Sequence, residues 1–236
     1  MLVIGQPRYE ALTSPRIAFL DVEGSRARAL FTGALDLSAY DRGLAYTASG
    51  AEALRSCGLR DVLEGAPKPA PDVAISDHLW APLVPAFGPR DRDPRVSPDA
   101  EALDAMRTRL AGRRPVVISP GSGGAAKRLP LAWWAEVAAH LDDVVWVGGP
   151  LEAGDGPWPE PRWDDLDLGG LVALAASCRA WLCPDSGPGH LARAVGAQVG
   201  VVFTAATSPA TWAPPGARVF RQETAPTDVA RWVAGL

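Results

Sequence analysis

Apolar residues in the second half of the chain fall in short, nearly unbroken runs: Pro115-Val116-Val117-Ile118-Ser119, Val144-Val145-Trp146-Val147, Ala180-Trp181-Leu182 and Val199-Gly200-Val201-Val202-Phe203. Runs of that length predict strands buried on both faces of a sheet. Between them, apolar positions recur at helical spacing over Ala100–Leu110, Trp133–Leu141 and Leu171–Ser177, and again from Pro188. A closing helix is predicted over Asp228–Val233. Strands alternating with helices imply right-handed βαβ units and a parallel sheet.

The first half repeats this pattern less clearly. Strands are predicted over Leu2–Ile4, Ile17–Leu20 and Leu44–Tyr46, and helices over Ser25–Phe31, Ala51–Cys57 and Asp77–Val84. Gly58 stands just past the second helix, where a helix stop is expected. Gly65-Ala66-Pro67-Lys68-Pro69-Ala70-Pro71 reads as a rigid connector. Gly88-Pro89-Arg90-Asp91-Arg92-Asp93-Pro94-Arg95 is polar, proline-bounded and alternating in charge, so it marks a linker. The chain accordingly divides into a reduced N-terminal domain over residues 1–95 and a C-terminal domain over 96–236.

Composition adds exclusions. The 236 residues are 47% hydrophobic and 21% charged, as in soluble globular proteins. The net charge of −4 and the lack of a basic run argue against nucleic acid as a partner. No segment reaches the roughly 20 apolar residues of a membrane span, and the start lacks the charged n-region of a signal peptide. Cys57, Cys178 and Cys183 have no metal-ligand spacing and read as reduced thiols, which suits a cytoplasmic chain.

In open parallel sheets, ligands bind beyond the carboxyl ends of the strands. Four turns fall there: Pro120–Gly124, Gly148–Glu152, Asp185–His190 and Thr204–Thr207. In the third, Ser186 and glycines 187 and 189 open a helix, and backbone N–H groups at a helix start favour an anion. Asp185 is placed to hold a sugar hydroxyl, and His190 lies in the first helical turn. In the first, Ser122 offers a hydroxyl and Lys127 a point charge to a diphosphate. It is not a Walker loop, since no G-K-S/T follows. Neither a G-x-S-x-G elbow nor an opening G-x-G-x-x-G is present, which disfavours a hydrolase triad or a nicotinamide dehydrogenase.

Three blocks together carry a resemblance: Pro120-Gly121-Ser122 with Lys127-Arg128-Leu129-Pro130 and Trp134; Gly148-Gly149-Pro150-Leu151-Glu152; and Asp185-Ser186-Gly187-Pro188-Gly189-His190-Leu191-Ala192. In order and spacing, across about residues 113–236, they resemble glycosyltransferase family 9, the ADP-heptose:lipopolysaccharide heptosyltransferase family. The resemblance implies an α/β fold of GT-B type, with two Rossmann-like parallel-sheet domains facing across a cleft and the N-terminal one reduced. It implies an inverting glycosyltransferase that needs no metal or cofactor. The donor would be a nucleotide diphosphate sugar such as ADP-heptose, and the acceptor an envelope glycan or glycolipid of lipopolysaccharide-type synthesis. Such a protein would be cytoplasmic or peripheral at the inner membrane face.

By that resemblance, Ser122 and Lys127 hold donor phosphates; Ser186, Gly187 and His190 cradle the diphosphate; Asp185 touches the sugar. Glu152 falls near the ribose, and the loop around Leu166-Asp167-Leu168 near the base. The family's base is an aspartate near the first strand. Here Tyr9-Glu10-Ala11-Leu12-Thr13-Ser14-Pro15 stands in its place, making Glu10 the candidate base ahead of Asp21 and Glu23. The altered motif and short first domain keep a second reading open: an inactive nucleotide-sugar-binding relative, or an epimerase or hydrolase on the same fold.

The remaining signals read as structural. Asp165-Leu166-Asp167 has the D-x-D form of a metal motif but is read as an acidic loop. His78 and His140 are read as core or surface residues, and most tryptophans as core. Trp212 is the one tryptophan singled out for a substrate contact.

Overall fold

The computed structural model describes residues 2–5, 18–21, 25–90, 93, 95–149 and 158–236. Two compact units divide the chain, Met1–Asp93 and Pro94–Leu236.

In the first unit, β1 (Leu2–Gly5) and β2 (Ala18–Asp21) pair in parallel, with Leu2 opposite Ala18. Helix α1 (Ser25–Phe31) follows. Then β3 (Arg42–Ala45), α2 (Ala48–Ser56) and β4 (Asp61–Glu64) form one βαβ unit whose strands are also parallel. Thr47 starts α2 by accepting the Gly50 N–H on its hydroxyl at 3.1 Å. Leu30, Leu37, Ala53 and Leu59 make a small core.

Two differences from the sequence-based reading have physical causes. β4 escapes it because Asp61 and Glu64 flank only two apolar residues. The helix expected over Asp77–Val84 is broken into α3 (Ile75–Trp80), a 3₁₀ turn at Ala81–Leu83 and α4 (Val84–Phe87). Pro82 and Pro85 lack the N–H groups a continuous helix would need. Among the described residues of the first unit, the strands form two separate parallel pairs.

The second unit contains α5 (Ala100–Leu110), β5 (Val116–Ile118), a 3₁₀ turn at Ala125–Lys127, α6 (Leu131–Ala138), β6 (Val144–Val147) and β7 (Arg162–Trp163). It continues with α7 (Leu168–Ser177), β8 (Ala180–Pro184), α8 (Gly187–Val195), β9 (Val199–Phe203), α9 (Pro209–Trp212), β10 (Arg218–Arg221) and α10 (Pro226–Ala234). The expected parallel sheet is present, with six strands in the order β10-β9-β8-β5-β6-β7. Neighbours pair in parallel throughout.

Side chains alternate across this sheet. Val117, Trp181 and Cys183 face one core with α5, α7 and α8. Val116, Ile118, Ala180 and Leu182 face the other with α6 and α10. Helices thus cover both faces, which explains unbroken apolar strands. β7 and β10 were not legible: the first is two residues long, and the second buries only Phe220 between two arginines. α7 starts at Leu168, before the expected Leu171, because Asp167 accepts the Gly170 N–H at 2.7 Å.

No helix among the described residues is long and apolar enough to cross a membrane.

Candidate functional site

The chain order reverses between β5 and β8. β6 and β7 extend the sheet to one side, and β8, β9 and β10 to the other. The carboxyl edge at such a reversal is where the two following loops splay apart and leave a crevice. Here those loops are Ser119–Arg128 and Asp185–His190. The Ser119 N–H continues the pairing by donating to the Leu182 carbonyl at 2.9 Å. Trp181 then donates its indole N–H to Ser119 Oγ at 2.8 Å.

The turns are tied together by side chains. Ser122 Oγ donates to the Asp185 carbonyl at 2.8 Å. Arg128 holds the same turn by donating to the Ser122 carbonyl at 2.8 Å. Thr204, at the end of β9, donates to the Ala126 carbonyl at 2.8 Å. Lys127 Nζ then stands 2.9 Å from Asp185 Oδ2, with the carboxylate 4% exposed and the lysine 31%. Three of the four anticipated turns therefore meet. Of the fourth, Gly148 and Gly149 are described, while Glu152 lies outside the described residues, as does Glu10. Asp21 ends β2, and Glu23 is outside the described residues.

Ser122 is buried, and its hydroxyl donates to the Asp185 carbonyl, so the residue joins two loops. Thr204 and Arg128 are tethers, a role the sequence reading did not give them. The only signal for Thr204 was its place in a strand-end turn.

The two glycines of the third turn serve different needs. A Cβ at Gly189 would fall 2.6 Å from Cys183 Sγ, so glycine there lets α8 press onto β8. A Cβ at Gly187 would meet nothing within 4 Å. Gly187 is exposed at the start of α8, with Ser186 as N-cap and no side-chain cap bond. The helix therefore opens onto free space with its dipole uncapped.

Buried polar atoms point to the same edge. Asp185 Oδ2, Ser186 Oγ and Thr207 Oγ1 are shielded yet have no aligned hydrogen bond; for Asp185 the lysine is near but off line. Unsatisfied buried groups are uncommon in native folds, and each calls for a partner such as water or a polar ligand. Burial also pushes the Cys183 thiol up to about 12, against a smaller pull from the Ser186 hydroxyl, so it remains a protonated core group.

His190 is held below the ordinary imidazole range, chiefly by burial, and Lys127 pushes the same way. Asp185 and the Trp212 carbonyl oppose that shift without cancelling it. The native imidazole thus binds its proton more weakly than the unfolded one. Between the unfolded value of about 6.5 and the lower native value, the unfolded state holds more protons, so stability falls as pH falls. Wild-type protein is expected to lose more melting temperature than His190→Gln between about pH 7 and pH 5.5. Thermal denaturation of both across that range checks this.

Asp165 and Asp167 are each engaged elsewhere. Arg109 forks onto Asp165 at 2.9 and 3.0 Å while stacking on Trp163, and Asp167 caps α7. Among the described residues, no group of three or more His, Cys, Asp or Glu is arranged to hold a metal ion. His78 bonds the Ala66 carbonyl at 2.8 Å, within the first unit.

Residues 164–224 match the family model described as glycosyltransferase family 9 (heptosyltransferase). The resemblance to that family holds. The matched stretch runs from the end of β7 to just past β10 and includes Asp185, Ser186, Gly187 and His190. Among solved structures, the chain is similar to E. coli ADP-heptose lps heptosyltransferase II, with TM-score 0.76 and 19% identity, covering 99% of this chain and 88% of that one. A glycosyl transferase family 9 protein from Veillonella parvula gives 0.74 at 13% identity, covering 99% and 81%. E. coli heptosyltransferase WaaC, solved with ADP, gives 0.61 at 12%, covering 100% and 99%. The likeness to these structures is one of fold, the α/β GT-B fold with parallel sheets. A comparison with curated proteins finds no match.

Proposed function

We propose that the chain is a glycosyltransferase that moves a sugar from a nucleotide diphosphate donor to an envelope glycan or glycolipid. The observation that supports this most is the convergence of Lys127, the Asp185 carboxylate it pairs with and the open start of α8 at Gly187 on one crevice. The family segment and the heptosyltransferase neighbours, one of them solved with ADP, favour a donor of the ADP-heptose type.

In this reading the acceptor oxygen attacks the anomeric carbon from the face opposite the diphosphate. The new C–O bond forms as the carbon–phosphate-oxygen bond breaks, which inverts the centre. The acceptor proton passes to Glu10 as general base. Negative charge gathers on the leaving diphosphate, where Lys127 and the N–H groups at the start of α8 stabilise it. Those groups supply the positive charge, so the mechanism needs no metal. Ser122 fixes the lysine turn against Asp185, Ser186 and His190 border the diphosphate, and Asp185 faces the sugar and holds Lys127 between turnovers. Glu152 is assigned to the ribose. The protein would work in the cytoplasm or at the inner face of the membrane.

The test is release of nucleoside diphosphate from ADP-heptose, with ADP-, GDP- and UDP-hexoses beside it, in the presence of a lipopolysaccharide core acceptor. Acceptor-dependent release is expected, and Glu10→Gln should lower it about a hundredfold while leaving donor affinity unchanged. Donor binding without transfer to any acceptor would favour the inactive relative. Full turnover in Glu10→Gln would remove that residue from the mechanism.

A further inference from the structure

The loop after β9 grips the lysine turn at two levels. Thr204 fixes the main chain beside Lys127 through the Ala126 carbonyl, at 2.8 Å. Lys127 Nζ also lies 5.7 Å from the centre of the Trp212 ring, within cation–π range. Short helix α9 sets these positions: the Trp212 N–H donates to the Ser208 carbonyl at 2.9 Å, Thr211 is buried, and the part-buried indole packs on the core.

The ammonium thus has two attractions of different kind. The Asp185 carboxylate accepts hydrogen bonds and draws Nζ down against the sheet edge. The indole face attracts the charge but accepts little, so the ammonium keeps donors for an incoming anion. With the carboxylate alone, the lysine would settle on Asp185 or swing into solvent.

We propose that Trp212 is a positioning residue that holds Lys127 with its ring, so that the ammonium meets the donor diphosphate in one geometry. This rests on reading the crevice as a nucleoside diphosphate site. The ring's work is done through Lys127, so its effect must vanish when the lysine is absent.

The experiment is a double-mutant cycle on the full chain, with ADP affinity measured by titration calorimetry for wild type, Lys127→Ala, Trp212→Leu and the double variant. Trp212→Leu is expected to weaken ADP about three- to fivefold in the wild-type background and to have no effect in Lys127→Ala. Trp212→Phe keeps an aromatic face and should retain most of the affinity. Where the leucine variant fails to fold, the phenylalanine variant carries the same cycle, with a smaller coupling of the same sign. Equal losses from the Trp212 substitution in both backgrounds would overturn the proposal while leaving the diphosphate site intact. An unchanged ADP affinity in Lys127→Ala would instead sink the diphosphate reading itself.

Discussion

Lys127→Ala is expected to lower turnover by about a hundred- to a thousandfold, the usual effect of removing one preorganised group that stabilises developing charge. ADP affinity should fall less, by about tenfold, because the ground-state diphosphate also keeps the N–H groups of α8. Stability should fall as well. Asp185 is 4% exposed and Lys127 is its charged partner, so truncating the lysine leaves a shielded carboxylate uncompensated. A loss of about 2 kcal/mol is expected for a buried carboxylate whose lost partner was partly solvated, or about 4 to 8 °C in a chain of this size. Lys127→Ala/Asp185→Asn removes the charge and should recover much of that melting temperature without recovering turnover. Steady-state kinetics and thermal denaturation of the two variants separate the lysine's catalytic and structural effects.

The second large effect is a contrast between two glycines. At Gly189 an added methyl would lie 2.6 Å from Cys183 Sγ, so the thiol or the helix must shift. Gly189→Ala is expected to cost about 1–3 kcal/mol by overpacking. At Gly187 the methyl meets no protein atom within 4 Å, and alanine is the better helix former. Gly187→Ala should therefore leave the melting temperature unchanged or slightly raised. It should nonetheless weaken ADP by at least about tenfold, because the methyl occupies the approach to the helix N-terminus. Denaturation and calorimetry on the pair distinguish packing from binding within one turn.

In sequence the two glycines look alike, and this shows where sequence reading stops. The strands β5, β6, β8 and β9 were legible because both faces are buried, which compresses their signal into apolar runs. β10 was hidden because it lies at an edge, where arginines replace apolar residues. The carboxyl-edge turns were legible from their place after strands and from their glycines. Their connections were not: Ser122 to Asp185 and Thr204 to Ala126 are side-chain to backbone bonds between segments far apart in sequence. Residue type and the family resemblance assigned Ser122 to a phosphate; its bond to a neighbouring loop is visible only in the fold. Trp212 stood out as an aromatic in a polar loop, but its cationic neighbour comes from a turn far earlier in the chain. Pairings of that kind become visible only when the strand order brings β5, β8 and β9 side by side.

The central claim is that this crevice reads a diphosphate. Calorimetric titration of the wild-type chain with ADP, and then with AMP, tests it most directly. The second phosphate should reach Lys127 and the start of α8, so ADP is expected to bind at least about tenfold more tightly than AMP, a difference of about 1.4 kcal/mol. Equal affinities, or no binding of either nucleotide, would contradict the account.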